Sequence, residues 1–237
     1  MMKLSKTQID RLGNRLREGP LSDSDLRILD DYRWSFAEAY EQVVQVIREE
    51  LKLEPTGRQI KSTNSIIEKL HRESTRLTQI QDIAGCRIVV SDVIEQERVV
   101  ASLTKIFPST SVVDRRINPS YGYRAVHVIP KIAGKLIEIQ IRSKLQHLWA
   151  ELSEKLSDKV DPNIKYGGGK RGFQTMLHNI SVLIKDLEMH EKRISSVLGR
   201  TQQQEQAMVD AKKRKIVEDI TLIARTLGLE KKKEERL

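Results

Sequence analysis

Residues 136–142 run Leu-Ile-Glu-Ile-Gln-Ile-Arg, a strict alternation of apolar and polar side chains. Such alternation has the two-residue period of a strand and none of the 3.6-residue period of a helix. Ile137, Ile139 and Ile141 therefore share one face, and Glu138, Gln140 and Arg142 share the other. A strand with a carboxylate, an amide and a guanidinium on one face is either open to water on that side or the floor of a site. The segments around it bear on that choice.

Upstream, residues 3–17 carry Leu4, Ile9, Leu12 and Leu16 at helical spacing until Gly19-Pro20 stops them. An N-cap at Ser22 or Ser24 opens a second periodic stretch through Leu26, Leu29, Phe36, Tyr40, Val43, Ile47 and Leu51. That pattern predicts one long helix ending before Pro55-Thr56-Gly57. Another helix is predicted from about 62 to 77, with Ile66, Ile67, Leu70 and Leu77 inward and Lys69, Arg72 and Arg76 on another side. The centre predicts strands over 86–90, 111–115, 121–129 and 136–142, a helix over 94–106, and a turn at Gly134. Helices return over 143–158, 173–198 and 202–227, and a charged tail at 231–236 is expected to fray. This order predicts an α/β (α+β) fold, a mixed sheet flanked by helices. Three parts are expected: N-terminal helices over 1–57, a core over 58–170 and a helical extension over 171–237.

Composition narrows the function classes. Aromatic residues are only 4%, which argues against a single-strand binder built on stacking platforms. The net charge of +9 points to a polyanionic partner, whether nucleotide phosphates, RNA or an anionic surface, and fits a merely basic solvated face as well. The one cysteine, Cys86, lies in an apolar run and reads as an inert buried thiol in a reducing compartment. The opening residues lack an apolar signal core and no stretch approaches a membrane span, so a cytoplasmic protein without membrane contact is expected.

On a strand over 121–129, Tyr121, Tyr123, Ala125 and His127 would share a face. Paired with Glu138 and Gln140 in a hairpin, they would line one surface with an aromatic ring, an imidazole, a carboxylate and an amide. That set suits a nucleotide: a ring for the base, a carboxylate for Mg²⁺ or a hydroxyl proton, and nearby cations for phosphates. Tyr123 as core filler, His127 as a structural histidine and the Lys69/Arg72/Arg76 side as a solvated face are the alternatives to that reading.

Four segments in order resemble the RelA/SpoT-type alarmone synthetases, in their short single-domain form. They are Ser65-Ile66-Ile67-Glu68-Lys69-Leu70, Asp82-Ile83-Ala84-Gly85-Cys86-Arg87-Ile88, Gly122-Tyr123-Arg124-Ala125-Val126-His127 and Glu138-Ile139-Gln140-Ile141-Arg142. The resemblance covers about residues 61 to 154. It implies a nucleotidyltransferase-like sheet and transfer of pyrophosphate from ATP to a ribose 3′-hydroxyl of GDP or GTP, with AMP released. It implies Asp82 and Glu138 at Mg²⁺, with Glu138 also the base for the acceptor hydroxyl. Tyr123 would stack on the acceptor base. Arg58, Lys61, Lys69, Arg72 and Arg87 would approach ATP, with Arg124, His127 and Gln140 along the nucleotide pocket.

The sequence departs from the family in places. The usual Arg-x-Lys is Arg58-Gln59-Ile60-Lys61, one residue longer, and Ser120 stands where a lysine often precedes the Gly-Tyr pair. Arg115 and Arg116 are the candidates to replace that lysine. No His-Asp dipeptide of the family's hydrolase domain occurs, so a synthesis-only form is expected. Short members also resemble toxins that modify the 3′ end of tRNA, which would bring tRNA as acceptor and a neutralising antitoxin protein as partner. A catalytically silent nucleotide sensor is a further reading. So is an interaction protein that forms homo-oligomers through the Ile216, Ile220, Ile223 and Leu227 stripe.

Overall fold

A computed structural model of the chain describes residues 4–57, 60–195 and 200–229. The elements in order are α1 (Lys6–Glu18), α2 (Asp23–Trp34), α3 (Ala37–Leu51), α4 (Thr63–Arg72), β1 (Ala84–Val90), α5 (Val93–Ile106) and β2 (Thr110–Asp114). They continue with β3 (Val126–Ile132), β4 (Lys135–Ser143), α6 (Lys144–Lys159), α7 (Arg171–Ile194) and α8 (Arg200–Thr226). The strands form a mixed sheet in the order β1-β4-β3-β2. Among the described residues no helix is long and apolar enough to cross a membrane.

The chain divides into two compact units. The first comprises Met1–Ile88, Ser102–Val112 and His127–Gln140. The second comprises Val89–Ala101, Val113–Val126 and Ile141–Leu237.

Local chemistry explains most of the first unit. Alternate residues of β1 are buried, with Ala84, Cys86 and Ile88 inward. On β4, Ile137 and Ile139 are fully buried and Glu138 and Gln140 only partly, as the alternation predicts. Two residues, Ala133 and Gly134, join β3 to β4 with φ of 48° and 80°, the paired left-handed turn that matches strand twist. At Gly85 a Cβ would lie 2.4 Å from the Glu138 carbonyl oxygen, so only glycine lets β1 approach β4 this closely.

Three sequence expectations change. The long helix expected up to Leu51 is two helices. The Ser35 backbone N–H still donates to Asp31 and Arg33, but its hydroxyl donates to the Tyr32 carbonyl at 2.5 Å and α3 begins anew at Ala37. Tyr32 and Phe36 flank the break as an edge-to-face pair with centroids 5.3 Å apart.

The helix expected to reach residue 77 ends at Arg72, where Glu73 turns extended. Arg17 of α1 takes the Leu70 carbonyl of its last turn at 2.7 Å, and also donates to the carbonyls just beyond the helix, Glu73 at 3.4 Å and Thr75. Leu77 then packs fully buried in a short 3₁₀ turn, leaving Arg76 off the α4 face that carries Lys69 and Arg72.

The strand expected from residue 121 starts only at Val126. Tyr121 and Gly122 have φ of 53° and 92°, and the Tyr123 N–H donates to the Ser120 carbonyl at 2.9 Å. Residues 120–123 are thus a turn, and Tyr121, Tyr123, Ala125 and His127 do not share a strand face. The same turn leaves no room for a side chain at 122, where a Cβ would meet the Trp149 ring at 2.8 Å.

In the second unit α6, α7 and α8 bury a common core that includes Trp149, Leu156, Leu177, Ile184, Val209 and Ile220. The α6 N-terminus is closed by a capping box of Ser143 and Gln146. Ile216 and Ile220 are buried in this core and Ile223 packs against it, so most of the C-terminal stripe is spent inside its own unit.

Candidate active site

Two carboxylates of the first unit are the candidates for the chemistry. Asp82 lies in the turn before β1 and receives the Lys61 ammonium at 2.6 Å and the Lys69 ammonium at 2.9 Å. Lys61 precedes the Ser62 N-cap of α4, its N–H donates to the Ile83 carbonyl at 2.8 Å, and its own carbonyl accepts from Arg33 of α2 at 2.8 Å. Lys69 stands two turns along α4. Burial pushes the Asp82 carboxyl up, but the two lysines outweigh it and hold it below the usual carboxylate range.

Glu138 stands mid-strand on β4. The His127 Nδ1–H of β3 meets one of its oxygens at 2.9 Å and the Gln140 amide donates to the other at 2.7 Å. His127 and Glu138 have side chains only 12% exposed, so both hydrogen bonds are shielded from water. Burial pushes the Glu138 carboxyl up, yet His127 and Gln140 together hold it below its usual range. The negative charge of Asp82 acts on Glu138 in the upward direction. Glu138 is thus ionised and oriented through both oxygens, and the sequence-predicted residues form two groups, Lys61 and Lys69 on Asp82 and His127 and Gln140 on Glu138.

The other candidates of this unit are placed differently. Arg72 ends α4 beside Glu73 at 3.3 Å. Arg87 is half-buried on β1, and its backbone pairs with Thr56 in both directions at 2.6 and 2.8 Å. Arg58 lies outside the described residues. The Cys86 thiol, 4% exposed and pushed up to about 12 by burial and by the Glu138 charge, is inert as expected.

In the second unit, Tyr123 packs on the helical core and Arg142 lies over its ring, 5.0 Å from the centroid and 3.1 Å from the hydroxyl. Arg124 is buried. It donates to Glu188 of α7 at 2.7 Å and to the Arg116 carbonyl at 3.0 Å. Arg116 forks onto Asp114 at 2.7 and 3.0 Å, and Arg115 reaches the Ser120 hydroxyl at 3.3 Å.

Sequence reasoning missed the partners that hold this turn. Glu188 also accepts from Gln146 at 2.6 Å, and Ser181 of α7 donates to the Gly122 carbonyl at 2.7 Å. The available signal was a carboxylate on the apolar stripe of α7, where Ile180, Ile184, Leu187 and Glu188 are all buried.

The donor set suits Mg²⁺. That ion takes one or two carboxylates and completes its shell with water and substrate phosphate oxygens, rather than using an all-protein cage. Asp82 and Glu138 would supply such a pair of hard oxygen donors, and among the described residues no cluster of three or more His, Cys, Asp or Glu side chains forms a fuller cage.

Residues 57–161 match the family described as "Region found in RelA / SpoT proteins". Uncharacterised proteins of Mycobacterium bovis and Mycobacterium tuberculosis are 39% identical over 110 residues, which is 45% of this chain. The chain spans only 40% of the length of those relatives. A GTP pyrophosphokinase of Bacillus subtilis is 30% identical, with 57% of this chain and 78% of that protein covered. Among solved structures, small alarmone synthetase 1 of Bacillus subtilis superposes with a TM-score of 0.51 at 26% identity, over 70% of this chain and 96% of that one. The same enzyme bound to its product pppGpp gives a TM-score of 0.53 at 24% identity, over 73% and 97%.

Proposed function

Because the chain belongs to the RelA/SpoT family, we propose that it moves the β,γ-pyrophosphate of ATP onto the ribose 3′-hydroxyl of GDP or GTP. The observation that carries this reading is the Glu138 carboxylate, ionised and held through both oxygens by His127 and Gln140.

The acceptor 3′-oxygen attacks the β-phosphorus of ATP. The bond from that phosphorus to the α–β bridging oxygen breaks, and AMP leaves with the bridging oxygen. Glu138 takes the hydroxyl proton. His127 and Gln140 keep the carboxylate aimed while it does so, which limits its motion in the direction that matters for proton transfer. Lys61 and Lys69 are within reach of phosphate oxygens once these compete with Asp82 for their ammonium groups. Mg²⁺ held by Asp82 and Glu138 would neutralise charge on the transferred phosphates.

The test is to incubate the full chain with Mg²⁺ and ATP labelled on its γ-phosphate, with GDP, GTP or deacylated tRNA added separately. Label is expected in GDP or GTP, with AMP formed in equal amount. Glu138→Gln should lower turnover by about 10²–10⁴-fold. Label appearing only in tRNA replaces the acceptor with RNA, and bound nucleotide without AMP release replaces the enzyme with a sensor.

A further inference from the structure

The first unit contains a cavity of about 450 Å³ that the reaction does not use. Tyr32, Phe36 and Ile80 form part of its apolar wall, and the lysines Lys6, Lys131 and Lys135 also line it. Its volume falls within the range of about 300–1,000 Å³ usual for small-molecule sites. Lys135 opens β4, and alternation along that strand places it on the side of Ile137 and Ile139 rather than of Glu138.

Lys135 is unusually placed for a lysine. Its ammonium lies 4.5 Å from the Phe36 ring centroid and 5.2 Å from that of Tyr32, and it donates to the Ser35 hydroxyl at 2.6 Å. Burial lowers its basicity from the ordinary lysine range. Among the described residues no carboxylate pairs with Lys6, Lys131 or Lys135. Among the described residues the one carboxylate bonded to a lining residue is Asp10, which already accepts from the Thr78 N–H at 3.1 Å and hydroxyl at 2.6 Å. An ammonium has three donors, and Ser35 uses one of those on Lys135. The cavity therefore combines surplus positive charge with apolar walls.

We propose that this cavity binds a small organic phosphate, with Lys6, Lys131 and Lys135 meeting the phosphate and the wall of Tyr32, Phe36 and Ile80 covering the organic body. Three lysines against one already bonded carboxylate match a phosphomonoester dianion better than a single carboxylate. Lysine is suited to such a ligand because it binds phosphate as a point charge without a fixed geometry. The site is separate from Glu138, so its occupancy is read without reference to pyrophosphate transfer.

The test is calorimetric titration of the full chain with phenyl phosphate as the organic phosphate and inorganic phosphate as the bare anion, neither of them a substrate or product of the proposed reaction. Phenyl phosphate should bind the parent chain more tightly than inorganic phosphate does. Lys135→Gln should weaken phenyl phosphate at least about tenfold, the scale of one lost charge-assisted contact. Lys131→Gln, at an exposed position whose change leaves the packing alone, should weaken it at least about threefold. Lys69→Gln, in the candidate active site, should leave this binding unchanged. The proposal is overturned if the parent binds neither probe, if inorganic phosphate binds as tightly as phenyl phosphate, if both Lys131→Gln and Lys135→Gln bind phenyl phosphate like the parent, or if Lys69→Gln abolishes binding.

Discussion

Removing the Glu188 carboxylate should loosen the turn that presents Tyr123. Glu188 and Arg124 are a buried ion pair, with both side chains 6% exposed and a 2.7 Å contact. Breaking such a pair from one side leaves an uncompensated buried charge and costs about 3–5 kcal/mol. In Glu188→Ala the Arg124 guanidinium keeps only the Arg116 carbonyl at 3.0 Å, and Gln146 loses its acceptor at 2.6 Å. Against a typical net stability of about 5–15 kcal/mol this is a large fraction. At about 2–4 °C per kcal/mol for a chain of this size, the melting temperature should fall by about 6–20 °C. The double variant Arg124→Met/Glu188→Leu removes both charges while keeping the volume, and should recover most of the loss. Calorimetry reads the melting temperature. Hydrogen exchange of the Gly122–Ala125 amides reads the turn and should show faster exchange in Glu188→Ala alone. A Glu188→Ala chain that melts within about 1 °C of the parent with unchanged exchange would refute this account of what holds the turn.

Three shorter predictions concern the first unit. The Asp82 carboxyl is held below its usual range, so its stabilisation is complete above about pH 4 and is lost as pH falls through the depressed native value. Lys61→Met/Lys69→Met should therefore be less stable than the parent at pH 6, with the difference shrinking towards pH 2 in acid-unfolding curves; a pH-independent difference would contradict the pairing. Gly85→Ala puts a methyl 2.4 Å from the Glu138 carbonyl oxygen, a backbone atom that cannot rotate away. Chemical denaturation should show a loss of at least about 1–3 kcal/mol, and an unchanged midpoint would mean that β1 and β4 are not this close. Cys86 should resist a thiol reagent such as dithionitrobenzoate in the native chain and react once denatured, since burial both shields the thiol and keeps it protonated. Rapid labelling of the native protein would show the strand to be open.

The amino-acid order by itself determined what depends on a few consecutive residues. The alternation over 136–142 assigned Ile137 and Ile139 to the core and Glu138 and Gln140 to the partly exposed face, because strand geometry admits no other sorting. A helix cap at Ser22 or Ser24, of which the structure uses Ser22, and the Gly134 turn were legible for the same local reason. The resemblance of four ordered segments pointed to Asp82, Lys69, His127 and Glu138, and the structure pairs Lys69 with Asp82 and His127 with Glu138. Tertiary structure decided where helices stop and what the long side chains meet. Helical periodicity reports which face is apolar, not whether the backbone is continuous, so it ran through the break at Ser35 and past Arg72. The end at Arg72 is completed by Arg17, which lies 53 residues from the Leu70 carbonyl it caps. Arg124 looked like a pocket residue from its neighbours in sequence, yet its charge is met by Glu188, 64 residues away on α7. A charged side chain takes the partner that packing brings into reach, and that choice belongs to segments far apart in sequence.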